Sequence, residues 1–214
     1  MIVLHDYWRS SAAYRVRIAL NLLGLSYERR PVDLLAGEQT GEENLRRNPQ
    51  GLVPTLEIDG LRLTQSLAIL EYLDETRGAG FLPPDPPGRA RVRALAHAAA
   101  MEIHPVCNLR VVRHAVAESG GAIAQEDWMR HFIALGLRGL EAMLEGAPGP
   151  FCHGGRVTLP DLCLVPQLYN ARRWGVDLGP FPRIAAIEAA LQALPAVQAA
   201  HPDAVAPPRG PARP

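Results

Sequence analysis

Tyr7-Trp8-Arg9-Ser10-Ser11-Ala12-Ala13-Tyr14-Arg15-Val16-Arg17-Ile18-Ala19-Leu20 leads from a short apolar strand through polar hydroxyls into a helix. Ile2, Val3 and Leu4 supply the apolar run before it. Val16, Ala19, Leu20 and Leu23 recur every three or four residues, the spacing of one helical face, and Gly24 is the expected helix stop. Ser10 and Ser11 therefore fall at a helix N-terminus. Unpaired N–H groups and the positive end of the helix dipole favour an anion there, and a thiolate is such an anion. A serine at this place is by default an N-cap; Arg9 beside the pair points beyond capping.

Working outward, Ser26 to Val32 reads as a second strand, with Pro31 marking it as a sheet edge. The helix between the two strands is the kind of connection that parallel pairing requires, so this is a βαβ unit. Asp33 to Gly41 reads as a loop, and Glu42 to Asn48 as a short helix ended by Asn48-Pro49. Val53 to Thr64 alternates in two runs around Asp59-Gly60, a strong hairpin signal. Ser66 is placed to cap a helix carrying Leu67, Ile69, Leu70 and Leu73. The order over residues 1–78 is βαβαββα.

Gly and Pro crowd residues 79–88, which read as a linker. From Arg89 onward strand signals vanish. Helical spacing over Arg89 to Ala117, Gln125 to Glu145, Leu159 to Trp174 and Arg183 to Ala193 fills an all-helical domain at 89–202. Thr158-Leu159-Pro160-Asp161 resembles a capping box. The Pro- and Ala-rich residues 203–214 read as a disordered tail.

The 22 basic residues balance 22 acidic ones, and no basic cluster marks a nucleic-acid binder. All the basic residues are Arg; without Lys, Schiff-base chemistry and a lysine-containing phosphate loop are excluded. No apolar segment approaches the ~18 residues that suggest a membrane span. The N-terminus lacks the layout of a signal peptide, so the expected compartment is the cytoplasm. Cys107, Cys152 and Cys163 are odd in number with no CxxC, which fits buried free thiols rather than disulfides or zinc. His97, His104 and His114 have no HExxH or clustered carboxylates beside them, so no metal is expected. No GxSxG elbow surrounds Ser10, which argues against a serine hydrolase.

Arg9-Ser10-Ser11, Arg15-Val16-Arg17-Ile18-Ala19-Leu20, Asn48-Pro49-Gln50, Val53-Pro54-Thr55-Leu56, Gln65-Ser66-Leu67-Ala68-Ile69 and Asp161-Leu162-Cys163-Leu164-Val165-Pro166-Gln167 together resemble the zeta class of glutathione transferases, the maleylacetoacetate and maleylpyruvate isomerase family. The resemblance spans nearly the whole chain. It implies the cytosolic glutathione transferase fold, α/β plus all-α: a thioredoxin-like glutathione-binding domain followed by a helical substrate-binding domain. It also implies glutathione as cofactor and a homodimer.

Residue by residue, the resemblance implies a cis Val53-Pro54 bond, with the Val53 backbone pairing the cysteinyl unit of glutathione. Gln65 and Ser66 would hold its γ-glutamyl end, and Gln39 would lie near its glycyl end. His104, Asn108 and Arg110 would contact glutathione or substrate, with His104 and Asn108 four apart on one helical face. Ser10, with Ser11 as second choice, would hydrogen-bond a thiol whose free pKa is ~8.5. Arg9 and Arg173, joined by Arg110, would clamp a small dicarboxylate oxo-acid. Arg15 and Arg17 read as structural and Arg172 as part of a solvated helix face.

The implied activity is glutathione-dependent cis-trans isomerisation of maleylacetoacetate or maleylpyruvate to the fumaryl isomer, in aromatic-compound catabolism. The alternatives are conjugation of glutathione to small electrophiles, and a non-catalytic binding protein on the same scaffold. Ala12 stands where many zeta-class members carry Cys, so no protein thiol would assist.

Overall fold

In the computed structural model, which describes residues 1–147 and 149–207, strand β1 (Val3–Asp6) is buried along its whole length. It lies inside a four-stranded sheet of order β2-β1-β3-β4. Helix α1 (Ser11–Leu22) carries the chain over to β2 (Glu28–Pro31), which pairs parallel to β1. The edge position of β2 tolerates Pro31, which has no N–H to give a neighbour. Strands β3 (Thr55–Ile58) and β4 (Leu61–Thr64) form the expected antiparallel hairpin. Its turn has Asp59 at φ 53° and Gly60 at φ 76°, the left-handed pair of a type I′ turn.

Gly24 closes α1 from a φ of 64°. Its N–H reaches the Asn21 carbonyl at 3.1 Å and that of Leu25 reaches Leu20 at 3.0 Å, the double closure of a Schellman motif. A 3-10 turn (Glu38–Thr40) and α2 (Glu42–Arg47) precede the hairpin, and α3 (Ser66–Arg77) follows it.

The two faces of the sheet are chemically different. On the α1 side, Asp6 is completely buried. It accepts Nη1 of Arg17 at 2.7 Å and Nη2 of Arg29 at 3.2 Å. Arg17, itself fully buried, also donates to the carbonyls of Trp8 at 2.9 Å and Ala200 at 3.1 Å. On the other face, His5 Nε2 lies 3.1 Å from Glu57 Oε1. Burial pulls His5 below its ordinary value, and Glu57 only partly offsets this.

The unfolded chain thus protonates His5 before the folded one does, so this contribution is intact above pH ~6.5 and fades as the pH falls below it. We expect His5→Gln to flatten the fall of Tm with acidity below that pH. A wild-type slope in the variant would remove His5 from the pH response.

The first unit takes in Met1–Ala79 together with residues 194–207. Residues 203–207 do not form the expected disordered tail. Helices α9 (Pro195–Ala199) and α10 (Pro202–Val205) fold back within this unit. Arg17 holds the Ala200 carbonyl, and Arg29 Nη1 holds that of Val205 at 2.9 Å. The rest of the expected tail, 208–214, lies outside the described residues.

The second unit, Gly80–Ala193, is all-helical among the described residues. Helix α4 (Pro86–His97) begins inside the expected linker. Asp85 caps it by accepting the Gly88 N–H at 2.7 Å, and prolines suit a first turn whose N–H groups need no intrahelical partner. A π-helical turn (Ala98–Ile103) extends α4, and α5 (Leu109–Glu118) starts afresh. The expected single helix over Arg89 to Ala117 is therefore broken. Pro105 withdraws one donor, and the Trp128 indole N–H takes the Val106 carbonyl at 3.0 Å. In an unbroken helix that carbonyl would receive Arg110 N–H, which instead goes to Asn108 Oδ1 at 3.1 Å.

Helices α6 (Gln125–Met143), α7 (Leu159–Arg173) and α8 (Pro182–Gln192) complete the unit. Asp161 starts α7 as expected. Its carboxylate accepts the Thr158 N–H at 2.7 Å, the Thr158 hydroxyl at 2.9 Å and the Cys152 N–H at 2.9 Å.

Candidate active site

Ser10 is the N-cap of α1, at φ −66° and ψ 119°, and its Oγ accepts the Ala13 N–H at 3.2 Å. The cap uses the oxygen as an acceptor and leaves the hydroxyl proton to donate elsewhere. Ser11 is the first helical residue and is buried, whereas Ser10 is half-buried. The N–H groups of Ser11 and Ala12 lie in the first turn, where the helix itself offers them no acceptor.

Arg9 is held beside this turn by aromatic rings. Its Nη2 donates to the Tyr7 hydroxyl at 2.8 Å. Its guanidinium carbon sits 4.7 Å from the Trp8 ring centre and 5.7 Å from that of Tyr7. Such stacking reduces the freedom the side chain would lose on gripping a carboxylate.

Around α3 the structure corrects one expectation. Gln65, not Ser66, occupies the N-cap position, and Ser66 is the first helical residue. Gln65 sits at φ 66°, a left-handed conformation uncommon outside glycine that tends to mark functional sites. Its Nε2 donates to Gln50 Oε1 at 2.8 Å. The buried Ser66 hydroxyl accepts Nη1 of Arg15 at 3.0 Å.

The Val53-Pro54 bond is cis, as the resemblance implied. The loop before it is fastened by Asn48, whose Nδ2 donates to the Leu52 carbonyl at 3.0 Å and whose Oδ1 accepts the Gln50 N–H at 3.1 Å. Gln39 lies in the 3-10 turn. Its buried Oε1 meets no donor among the described residues.

Neither α1 nor α3 has an acidic residue in its first turn, in contrast to α2 and α6. Both N-termini therefore keep their positive character. This donor set fits glutathione, whose thiolate and γ-glutamyl carboxylate are anionic. Burial pushes the Cys107 thiol up to about 12 and that of Cys152 well above its ordinary value, so neither is a ready nucleophile.

In the second unit, His104 ends the π-helical turn and Asn108 caps α5. They do not share a helical face, because the break at Pro105 separates them. Arg110 is exposed in the first turn of α5. Arg173 is exposed in the last turn of α7, with its guanidinium carbon 5.8 Å from the Trp174 ring centre. Its neighbour Arg172 is not merely solvated: it makes a two-pronged bond to Glu188, both contacts at 2.5 Å.

Sequence reasoning missed Asn48 and Gln50 as buttresses, and Arg15 as a partner of Ser66. Asn48-Pro49-Gln50 stood in the quoted motif, but only the folded loop shows what its side chains hold.

A four-stranded mixed sheet with a cis proline before its hairpin, in a chain that also has an all-helical unit, is the architecture of a glutathione transferase. Residues 2–75 match the family Glutathione S-transferase, N-terminal domain. The maleylacetoacetate isomerase of Rhizobium meliloti (strain 1021) is 60% identical over 208 residues, covering 96% of this chain and 98% of that one. The holo structure of a maleylpyruvate isomerase, a bacterial zeta-class glutathione S-transferase, is 39% identical with a TM-score of 0.91, over 98% of this chain and 100% of the other. The maleylacetoacetate isomerase of Methylobacterium extorquens AM1, solved with bound malonate and glutathione, is 41% identical with a TM-score of 0.90, again over 98% and 100%. The chain belongs to the maleylacetoacetate isomerase family, the zeta class of glutathione transferases.

Proposed function

We propose that this chain is a glutathione-dependent isomerase that converts the maleyl group of maleylacetoacetate or maleylpyruvate into its fumaryl isomer. The observation that carries the reading is the 60% identity to a maleylacetoacetate isomerase over nearly the full length of both chains. It favours maleylacetoacetate as the better substrate of the two. When bound, glutathione supplies a thiol whose reversible addition to the conjugated double bond permits rotation about it.

The chain's own residues do the rest. The Ser10 hydroxyl and the N–H groups opening α1 stabilise negative charge on sulfur. Gln65, Ser66 and the α3 N-terminus receive the γ-glutamyl carboxylate, the Val53 backbone pairs the cysteinyl unit, and Gln39 approaches the glycyl end. Arg9 grips the substrate's carboxylates and oxo groups, where charge builds as the double bond opens; Arg110 and Arg173 keep the substrate-binding role that the resemblance implies. The protein works as a homodimer in the cytoplasm. Three buried free cysteines suit that reducing compartment, and among the described residues no helix is long and apolar enough to cross a membrane.

The test supplies each maleyl acid with and without glutathione and follows the fumaryl product. Glutathione-dependent isomerisation with glutathione recovered unchanged is expected. A product whose mass includes glutathione would make the protein a conjugating transferase, and failure to bind glutathione would leave a non-catalytic scaffold. Arg9→Met is expected to lower kcat/KM for the maleyl acid about tenfold or more, the worth of one charged hydrogen bond, while affinity for glutathione holds. An unchanged rate would remove Arg9 from the clamp. Light scattering during chromatography reads the dimer.

A further inference from the structure

We infer that Arg15 is a positioning residue for carboxylate recognition at the α3 N-terminus: it fixes the Ser66 hydroxyl as an outward donor and sets a permanent positive charge behind it. The inference rests on the reading that Ser66 receives the γ-glutamyl carboxylate of glutathione.

Arg15 lies on α1 and is 2% exposed, and Ser66 on α3 is 5% exposed. Nη1 of Arg15 stands 3.0 Å from Ser66 Oγ. A guanidinium carries donors only and does not lose its proton in proteins, so in this contact the serine oxygen must accept. The serine's own proton is then turned away from Arg15 and is free to serve an acceptor.

The surroundings reinforce this polarity. Ser66 is the first residue of α3, where the backbone N–H groups point out of the helix, and the first turn holds no acidic side chain. Hydroxyl proton, backbone donors and buried cation therefore all favour one kind of ligand atom, an anionic oxygen. The hydroxyl is polarised by a charged partner, which strengthens the bond it makes onward.

A buried arginine linking two helices also has a packing role, so the test must separate carboxylate recognition from stability. Affinity is measured by calorimetry for glutathione and for 4-aminobutanoyl-cysteinylglycine, which is glutathione without the γ-glutamyl α-carboxylate. The wild-type chain is expected to prefer glutathione strongly. Arg15→Met is expected to reduce that preference about tenfold, within the range of a charge-assisted hydrogen bond. The loss should appear in KM for glutathione more than in kcat. Arg15→Lys, which restores charge without the planar fork, should recover part of the preference. In a Ser66→Ala background, Arg15→Met should cost less discrimination than in the wild-type background, because only the contribution of the charge is then left to lose.

Equal weakening of both ligands by Arg15→Met would show a structural role only and overturn the inference. So would wild-type preference in the variant. Should Arg15→Met fail to fold, Arg15→Gln, which removes the charge, carries the comparison, and a preference equal to wild type would overturn the inference. A wild-type protein that does not distinguish the two ligands would instead overturn the assignment of Ser66, before any arginine variant is made.

Discussion

Ser10→Ala is expected to lower kcat by about 100-fold, the scale on which removing one preorganised donor to a developing anion acts. Ser10 caps α1 and, in the proposed function, also serves the thiolate, and the substitution removes both. As an N-cap, its oxygen satisfies the Ala13 N–H, and losing a serine cap costs about 1 kcal/mol. As the proposed donor, it would offer its proton to sulfur at the positive end of α1. The thiol of bound glutathione should therefore titrate at higher pH in the variant, which ultraviolet thiolate absorbance reads directly.

Ser10→Gly separates the two duties. Glycine retains most of the capping stability, to within a few tenths of a kcal/mol, but has no hydroxyl. It should fold nearly as well as wild type and be as slow as Ser10→Ala. Ser10→Gly with wild-type turnover and thiol pKa would exclude the hydroxyl from the chemistry. Transfer of the whole defect to Ser11→Ala would assign the role to the second serine.

The second large effect is on stability. Asp6→Ala should destabilise the fold by about 3–5 kcal/mol, the cost of leaving a buried charge without its partner. Asp6 and Arg17 are both fully buried, and Arg29 donates to the same carboxylate. Urea unfolding should show a lower midpoint with little change in slope. A shift worth less than ~1 kcal/mol, the value of an exposed pair, would mean that the structure relaxes to let water reach Arg17. Removing both charges as Asp6→Leu with Arg17→Met should recover part of the loss, because an apolar pair of similar volume carries no desolvation cost.

The same arginines explain where sequence reading failed at the C-terminus. Residues 203–207 are poor in large apolar side chains, and by composition they looked unable to order themselves. What orders the region is remote: Arg17 and Arg29 reach the carbonyls of Ala200 and Val205 across 183 and 176 residues of sequence. Composition in a window does not register a bond whose other half lies at the opposite end of the chain.

The break between α4 and α5 failed to register for a similar reason. Ala and Leu spacing continued through Arg89 to Ala117, and only the Trp128 indole, arriving from α6, claims the Val106 carbonyl. His104 and Asn108 consequently lost the shared face that spacing alone gave them.

Local chemistry was legible wherever a short stretch sufficient in itself decided the outcome. The Ser10 cap, the Gly24 stop, the Asp59-Gly60 turn and the Thr158-to-Asp161 cap each depend on backbone groups within a few residues. The βαβ order followed from the spacing of apolar residues, and with it the place of the first helix N-terminus. Fold class, the serine pair beside Arg9 and the kinship with glutathione-dependent isomerases were therefore all present in the letters. The tertiary structure decided that Ser10 caps α1 while Ser11 is its buried first residue, that Gln65 rather than Ser66 sits at the cap of α3, that Arg15 stands behind Ser66, and that Asp6 holds two arginines. The last two are choices of hydrogen-bond partner among residues distant in sequence. Such choices are set by which faces meet when the helices and sheet pack, a quantity that no single segment carries.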